Sequence, residues 1–127
     1  MSFAFNPNQG LIIVQAELWG PSGNGILSLA LDTGATSTLV NQSRLMQLGY
    51  DPAVVPERFQ MTTGSGVEFV PRIPLSQIVA LGRKRANFSV LCHTLPPSTG
   101  VDGLLGLDFL RGQTLTLDFR NGRITFG

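Results

Sequence analysis

The sequence predicts an all-β fold class with two short helices. Short apolar runs rich in β-branched residues recur along the chain, several of them alternate apolar with polar residues, and turns rich in glycine and proline separate them. The 127 residues include 15 Gly and 8 Pro, and 43% of them are hydrophobic. Because a chain of this length typically builds one core, we expect residues 1–127 to form a single domain.

A β-hairpin is predicted in the first quarter of the chain. Residues 10–19 form an apolar, β-branched run, and residues 21–25 form a cluster of turn residues. Within residues 26–31, leucine occupies every second position. Such alternation is typical of a strand with one buried face, so the two runs are expected to pair as strands around the turn.

A short helix and a second hairpin are predicted next. Asn41 is a suitable N-cap and Gly49 suits the left-handed residue after a helix end, so a short helix is expected between them. Residues 58–63 and 67–70 flank a glycine-rich tip at residues 64–66. This pattern predicts an exposed and mobile hairpin arm.

The segment after this arm is predicted to contain two strands. Pro71 and Pro74 make their own segment a poor central strand, because proline cannot donate to a β-ladder. Strands are expected at residues 77–81 and 87–91, with a turn at residues 82–85.

The last part of the chain predicts a second short helix and a hairpin. The helix is expected at residues 104–110, ended by Gly112. Residues 113–119 alternate as a strand does, and a two-residue Asn-Gly turn at residues 121–122 leads into a last strand at residues 124–126.

Charge and composition exclude several classes of function. Nine Lys and Arg residues against eight Asp and Glu residues give a formal net charge of +1, so no bulk electrostatic field attracts nucleic acid. With one cysteine and one histidine, the chain cannot hold an internal disulfide or a structural zinc site, and neither a metal nor a cofactor is expected. No apolar run reaches the roughly 18 residues of a membrane span. The expectation is a soluble, cytoplasmic protein without a membrane partner.

Asp32 is the strongest candidate for a chemical role. It directly follows a predicted buried strand, in the segment ALDTGAT at residues 30–36. A carboxylate there needs hydrogen-bond donors, because no Lys or Arg is adjacent to it in sequence. Gly34 lets the backbone approach closely, and the hydroxyls of Thr33 and Thr36 offer further donors. Since Asp-x-Gly is also a common turn former, the tripeptide alone does not establish a function.

The surroundings of Asp32 resemble the active-site loop of the aspartic proteases, which reads hydrophobic-Asp-Thr-Gly, then Ala or Ser, then small and apolar residues. Here residues 31–40 read LDTGATSTLV. Residues 101–107, VDGLLGL, are similar to the segment that crosses behind this loop in the family. The glycine-rich hairpin at residues 62–66 occupies the place of the family's flap, which closes over a bound peptide. The resemblance covers nearly the whole chain.

The single Asp-Thr-Gly loop is similar to that of the retropepsins, in which two identical subunits each contribute one aspartate. The resemblance implies a closed, single-lobe β-barrel and a homodimer that hydrolyses a polypeptide. It assigns the acid/base chemistry to Asp32, a contact between the two loops to the Thr33 hydroxyl, and support of the carboxylate to the Gly34 amide. Two carboxyl groups about 3 Å apart would share one proton and activate a water.

The resemblance also implies which residues contact the substrate. Ala35 stands where pepsin-like enzymes usually carry a serine, and the retroviral branch has alanine there too. The flap would donate backbone hydrogen bonds to an extended peptide. The residues assigned to substrate binding are Ala35, Thr62, Thr63, Gly64, Ser65 and Gly66.

Other polar residues favour structural interpretations. Asp102 precedes a glycine with no Thr or Ser between them, so it is interpreted as a turn residue. Cys92 and His93 are adjacent, and neighbours on a strand point to opposite faces, so they do not readily form a catalytic pair. The basic run at residues 83–85 is interpreted as a solvated turn.

Two questions stay open at the level of the sequence. The apolar residues near the chain ends, Phe3, Phe5, Ile124 and Phe126, suit either a sheet shared between two subunits or the core of one subunit. The chain is either an active endopeptidase or a dimerisation or peptide-binding module that keeps the fold without turnover. A small β-barrel with an accidental Asp-Thr-Gly is the remaining alternative, and it would leave Asp32 exposed.

Overall fold

A computed structural model describes the backbone of residues 1–127 and the side chains of all of them except Thr63. The described chain is mostly β-structure with two short helices, as predicted. The strands are β1 (Ser2–Ala4), β2 (Ile13–Gly20), β3 (Gly23–Leu31), β4 (Leu39–Val40), β5 (Arg58–Thr63), β6 (Gly66–Ala80), β7 (Arg83–Cys92), β8 (Gly103–Leu105), β9 (Leu115–Asp118) and β10 (Arg123–Phe126). The helices are α1 (Gln42–Gln47) and α2 (Leu107–Leu110), and a 3₁₀ turn spans Pro97–Thr99.

Six strands form a closed barrel. Neighbouring strands follow the order β2-β3-β8-β4-β7-β6, and β6 pairs again with β2, which closes the ring. The predicted first hairpin is confirmed as β2 and β3, joined by a two-residue turn at residues 21–22. β5 pairs with the first part of β6, so this hairpin extends from the barrel. The closed single-lobe barrel that the resemblance implies is therefore confirmed.

A three-stranded sheet brings the two ends of the chain together. Its order is β1-β10-β9, and Phe3 lies opposite Ile124 in the pairing of β1 with β10. Phe5, Ile124 and Phe126 are buried in the main core, and Phe3 packs against that core. Of the two interpretations of these residues, the structure supports the core of a single chain.

The core fills the barrel and continues under the three-stranded sheet. Phe109 of α2 lies at the junction: its ring stacks on Phe126 with 6.2 Å between centroids and meets Phe88 edge-on at 5.7 Å. Burying one large apolar side chain contributes about 1.5–3 kcal/mol. This aromatic residue therefore couples the helix, the barrel and the sheet. The largest fully buried side chains are Phe109, Leu18, Leu27, Leu29, Leu45, Ile73, Leu75, Ile78, Leu105, Ile124, Val40 and Val90.

β6 runs through Pro71 and Pro74, so the prediction that this segment is a poor central strand is wrong. Both prolines lie at positions where β6 begins to pair with a new strand or passes from one paired strand to the next. Pairing with β7 begins at Arg72, directly after Pro71. Along β6, pairing with β5 ends at Pro71 and pairing with β2 begins at Gln77. Pro74 lies between these two paired regions. The missing N–H groups therefore cost the ladders little.

Helix α1 lies where it was predicted, but Asn41 does not cap it with its side chain. The Asn41 Oδ1 accepts a hydrogen bond from the Leu95 N–H at 2.9 Å, and its Nδ2 donates to the Val101 carbonyl oxygen at 3.4 Å. Asn41 thus ties the start of the helix to the segment before β8. Gly49 has a φ of +95°, the left-handed conformation predicted for the helix end.

Two local predictions in the second half of the chain are wrong. The basic run at residues 83–85 is not a turn but the start of β7, and the turn lies at residues 81–82. Instead of being solvated, the Arg85 guanidinium lies 5.2 Å from the centroid of the Phe109 ring and donates to the Phe109 carbonyl oxygen at 2.8 Å. The helix expected at residues 104–110 is divided between β8 and α2, because β8 pairs with β3 and β4.

The predicted two-residue turn at residues 121–122 is wrong: β9 and β10 are joined by four residues, 119–122, and Asp118 holds this turn. Its carboxylate accepts hydrogen bonds from the Asn121 side chain at 2.8 Å and from the N–H groups of Asn121 and Arg120, both at 3.0 Å. These donors, the Asn121 side chain first, hold the pKa of the Asp118 carboxyl below its usual range. Because the folded pKa is lowered, Asp118 stabilises the fold above the ordinary aspartate pKa of about 3.9, and this stabilisation is lost as the pH falls through the folded value.

We therefore expect Asp118→Ala to lower the melting temperature at about pH 7, and the difference from the wild type to shrink as the pH falls below about 4. Thermal unfolding followed by circular dichroism at a series of pH values measures this difference. A difference that stays constant down to about pH 2 would contradict the assignment.

Candidate active site

Asp32 follows β3 and opens a loop, residues 32–38, that leads into β4. The loop rests against β8 and α2. The Asp32 N–H donates to the Leu105 carbonyl oxygen at 3.0 Å, and the Leu107 N–H donates to the Ala35 carbonyl oxygen at 2.8 Å. The segment at residues 101–107 thus crosses behind the Asp-Thr-Gly loop, as the resemblance implies.

The Asp32 carboxylate is oriented by a backbone amide of its own loop. The Gly34 N–H donates to Asp32 Oδ1 at 2.8 Å, and the Ala35 N–H donates to the Asp32 carbonyl oxygen at 3.2 Å. A Cβ at position 34 would lie 3.1 Å from Asp32 Oδ1, so glycine lets the carboxylate lie close to the turn. The Asp32 side chain is partly exposed. Thr33 and Thr36 are exposed, and the described hydrogen bond to the Asp32 carboxylate comes from the Gly34 N–H.

Two glycines let β8 and the residue after it pass close behind the loop. A Cβ on Gly103 would overlap the Leu39 carbonyl oxygen and lie 3.0 Å from the Val40 Cα. A Cβ on Gly106 would lie 2.8 Å from the Ala35 carbonyl oxygen. β8 pairs in parallel with β3 and antiparallel with β4, so it fixes the strands at both ends of the loop.

Asp108 anchors the far end of the loop, and sequence reasoning missed it. The Thr38 N–H donates to Asp108 Oδ1 at 3.0 Å and to Oδ2 at 2.9 Å, and the Thr38 hydroxyl donates to Oδ1 at 2.7 Å. The same hydroxyl accepts a hydrogen bond from the Gly106 N–H at 3.0 Å. Asp108 directly follows the crossing segment at residues 101–107, and this position is the signal that would have found it.

The glycine-rich hairpin lies beside the loop as β5 and the first part of β6. Thr63 pairs with Gly66 across a two-residue turn, Gly64-Ser65, and Gly66 has a φ of +130°. The tip of this hairpin is exposed, as predicted. The side chain of Thr63, one of the residues predicted to bind substrate, lies outside the described residues.

A cleft of about 350 Å³ lies between the loop and β5. Its lining residues are Ala35, Thr36, Ser37, Leu39, Phe59, Gln60, Met61, Thr62 and Leu91. All of these side chains are uncharged, and they include Ala35 and Thr62 of the residues predicted to bind substrate. Phe59 and Met61 pack against a small buried apolar cluster at the cleft. The cleft therefore suits an uncharged side chain that enters between loop and hairpin.

Asp102 has a structural position rather than a place beside Asp32. Its Oδ2 accepts a hydrogen bond from the Ser28 N–H at 2.9 Å, and its Oδ1 lies 3.6 Å from Arg44 Nε. Asp102 was interpreted as a turn residue; it lies at a bend before β8, and its carboxylate joins β3 to α1.

The adjacent Cys92 and His93 make separate contacts. Cys92 is buried at the end of β7, and this burial raises the pKa of its thiol above the ordinary value, although the nearby Arg58 charge acts in the opposite direction. His93 Nδ1 lies 3.8 Å from Glu68 Oε2. The packed thiol agrees with the sequence interpretation.

Within the described chain, neither helix has the length and apolar character needed to cross a membrane. The described residues also contain no cluster of three or more His, Cys, Asp or Glu side chains arranged to hold a metal ion.

Two solved structures are similar to this fold. A retropepsin-like aspartic protease from Rickettsia conorii has a TM-score of 0.73 and 18% sequence identity, over 98% of this chain and 86% of that chain. The retroviral protease-like domain of Ddi1 from Leishmania major has a TM-score of 0.60 and 17% identity, over 94% of this chain and 96% of that chain. At these identities the similarity concerns the fold, which is retropepsin-like. Comparison with curated proteins finds no match.

The family is shown by the sequence itself. The profile of the family described as "gag-polyprotein putative aspartyl protease" matches residues 23–112. This range contains the Asp-Thr-Gly loop, the flap hairpin and the crossing segment with α2. Because the match spans most of the chain, the chain belongs to this family of retropepsin-like aspartyl proteases.

Proposed function

We propose that this chain is an aspartic endopeptidase that works as a homodimer. The observation that carries the proposal is the Asp32 carboxylate, held by the Gly34 amide in a loop that, with a flap hairpin, lines a cleft. The sequence contains one Asp-Thr-Gly loop, and the alternative acid considered from the sequence, Asp102, accepts from the Ser28 N–H and lies 3.6 Å from Arg44 Nε. A twofold symmetric dimer would bring a second Asp32 to the same site.

The proposed reaction is hydrolysis by a water held between the two Asp32 carboxyls. Carboxyl groups about 3 Å apart share one proton, because like charges at that distance do not both ionise. The ionised member takes a proton from the water, which attacks the carbonyl carbon of the peptide bond. The protonated member hydrogen-bonds the carbonyl oxygen as that carbon becomes tetrahedral. The C–N bond then breaks as the leaving nitrogen takes a proton from the aspartic acid pair, which releases an amine and a carboxylic acid and returns the pair to its singly protonated state. Since water is the nucleophile, no covalent intermediate with the enzyme forms.

The neighbours of Asp32 have separate proposed roles. Thr33 is exposed in the single chain, so its hydroxyl is accessible for a contact between the two loops of a dimer. Gly34 orients the carboxylate. Ala35 lines the cleft, and the hairpin at residues 62–66 is proposed to cover an extended peptide and bind its backbone as an added strand would. The proposed substrate is therefore an extended polypeptide with an uncharged side chain in the cleft.

The proposed domain comprises residues 1–127. The family match ends at residue 112, but Ile124 and Phe126 of β10 are buried in the same core as the barrel residues. We place this domain in the cytoplasm, because its cysteine is a free, buried thiol, which is typical of a reducing compartment.

Cleavage of a peptide library at a series of protein concentrations, with and without pepstatin, tests this function. Activity per chain should rise with concentration and level off as the dimer forms, in step with the mass from sedimentation. Pepstatin, a mimic of the tetrahedral intermediate, should inhibit it. Cleavage by a protein that sediments as a monomer would overturn the homodimer. Peptide binding without cleavage at every concentration would instead identify a non-catalytic binding module.

A further inference from the structure

Asp108 and Thr38 form a compact hydrogen-bonded pair behind the Asp32 loop. The Thr38 N–H donates to both oxygens of the Asp108 carboxylate, at 3.0 and 2.9 Å, and its hydroxyl donates to one of them at 2.7 Å. Thr38 is 0% exposed, so losing these bonds would leave buried polar groups without partners, which is costly. The Thr38 hydroxyl also accepts from the Gly106 N–H, which extends the pair to the end of β8.

Asp108 belongs to a segment, residues 105–108, that forms hydrogen bonds with the Asp32 loop from its start to its end. At the start of the loop, the Asp32 N–H donates to the Leu105 carbonyl oxygen at 3.0 Å. Further along, the Asp108 N–H donates to the Thr36 carbonyl oxygen at 3.2 Å. At the end, the Asp108 carboxylate holds Thr38. Four consecutive residues, 105–108, therefore support the loop that carries the catalytic acid.

Both carboxylate oxygens of Asp108 face the Thr38 N–H. Because the Thr38 N–H donates to both oxygens of Asp108, an asparagine at this position would turn an NH₂ group toward that N–H, donor against donor. An asparagine oxygen at the Oδ1 position would still accept from the Thr38 N–H and hydroxyl, but its NH₂ group would lie where Oδ2 now accepts the Thr38 N–H at 2.9 Å, so the side chain must move to separate the two donors.

We propose that Asp108 is a positioning residue whose carboxylate fixes the Asp32 loop, so that the two Asp32 carboxyls meet in the geometry needed for reaction. The proposal rests on the endopeptidase function proposed above. Asp108 acts through Thr38 and not on the substrate. Its effect on the rate is large, because a displacement of about 1 Å in a reacting group costs roughly 100-fold in rate.

The first test compares Asp108→Asn with Asp118→Asn. Each carboxylate accepts three hydrogen bonds, but Asp118 lies in the turn between β9 and β10. Asp108→Asn should lower kcat by about 10- to 100-fold, because the displaced loop carries the reacting acid, and should change KM by a smaller factor, because the β5 side of the cleft keeps its position. Asp118→Asn should leave both constants unchanged. An unchanged kcat per site in Asp108→Asn, with sites counted by pepstatin titration, would show a merely structural role and overturn the proposal.

Thr38 provides the reciprocal test. Thr38→Ser keeps the hydroxyl that bonds Asp108 and should keep most of kcat, whereas Thr38→Val removes it and should lower kcat by a larger factor than it changes KM. An equal loss of kcat in Thr38→Ser and Thr38→Val would assign the effect to packing and overturn the role of the hydrogen bonds.

Amide hydrogen exchange tests the positioning role without relying on catalysis. In Asp108→Asn, the amides of Gly34 and Ala35 should exchange at least about tenfold faster, while the amides of β2 and β6 keep their protection. Unchanged exchange in the loop would overturn the proposal even in a protein that cleaves no peptide. Absence of cleavage by the wild type would instead overturn the endopeptidase function. Should Asp108→Asn lose barrel protection as well, Thr38→Val replaces it in the same comparison.

Discussion

Asp32→Asn is expected to lower peptide cleavage by roughly 10³-fold or more while the protein stays folded. The asparagine Oδ1 still accepts the Gly34 N–H, so the loop keeps its local turn. The amide cannot take a proton from water, and it cannot share a proton with the second subunit, so the general base is lost. Initial rates on a cleaved peptide, together with circular dichroism, measure activity and folding separately.

Asp51→Asn is the matched control for this substitution. Asp51 accepts a hydrogen bond from the N–H two residues ahead, Ala53, at 3.0 Å, as Asp32 does from Gly34 at 2.8 Å. Because Asp51 lies outside the loop, its variant should retain full activity.

A mixture of equal amounts of wild-type and Asp32→Asn chains tests whether each site needs two copies of Asp32. Its activity should be about one quarter of that of the same total amount of wild-type chain, since random pairing leaves that share of dimers with both aspartates. Activity of one half, or full activity in Asp32→Asn alone, would contradict a site built from two copies of Asp32.

Gly103→Ala is expected to destabilise the fold by about 3 kcal/mol or more. An added Cβ overlaps the Leu39 carbonyl oxygen and lies 3.0 Å from the Val40 Cα, and both neighbours are backbone atoms of β4. Backbone paired on both sides cannot move aside as a flexible side chain does, so β8 must separate from β4. Urea denaturation measures the loss in the free energy of unfolding.

Gly10→Ala provides the comparison for Gly103→Ala. A Cβ on Gly10 meets no atom within 4 Å, so this variant should differ from the wild type by less than about 0.5 kcal/mol. A loss below about 1 kcal/mol in Gly103→Ala would mean that β8 does not pass so closely behind the loop.

The barrel and the central part of the site were predictable from the sequence, because they depend on turns and close backbone contacts that only particular residue types, above all glycine, allow. The Asp-Thr-Gly loop, the glycine-rich hairpin and the Gly-Leu-Leu-Gly segment each need a glycine at a turn or a close approach. Gly34 illustrates this, since a Cβ there would lie 3.1 Å from Asp32 Oδ1. Their order along the chain then identified the family before any contact was known.

The contacts that stabilise the loop were not predictable from local pattern. Thr38 and Asp108 are 70 residues apart, and Asn41 bonds to Leu95 across 54 residues. The rule for helix capping considers only neighbouring residues, so it predicted that the Asn41 side chain would accept from an N–H of the first helical turn. Its actual donor is the N–H of Leu95, which is distant in sequence. The prediction that proline excludes a central strand failed at Pro74 for a similar reason. It does not consider that a strand can pair with one neighbour before the proline and with another neighbour after it.

The sheet β1-β10-β9 is completed within one chain, and its residues Ile124 and Phe126, together with the adjacent Phe5, are buried without a second copy. In many obligate dimers, by contrast, folding and association are inseparable. For the proposed homodimeric endopeptidase, dilution should therefore switch off proteolysis and leave folded monomers, and concentrating the same molecules should restore it. On this proposal, the concentration of the chain would determine whether the peptidase is active, and inactivation would require neither an inhibitor nor unfolding.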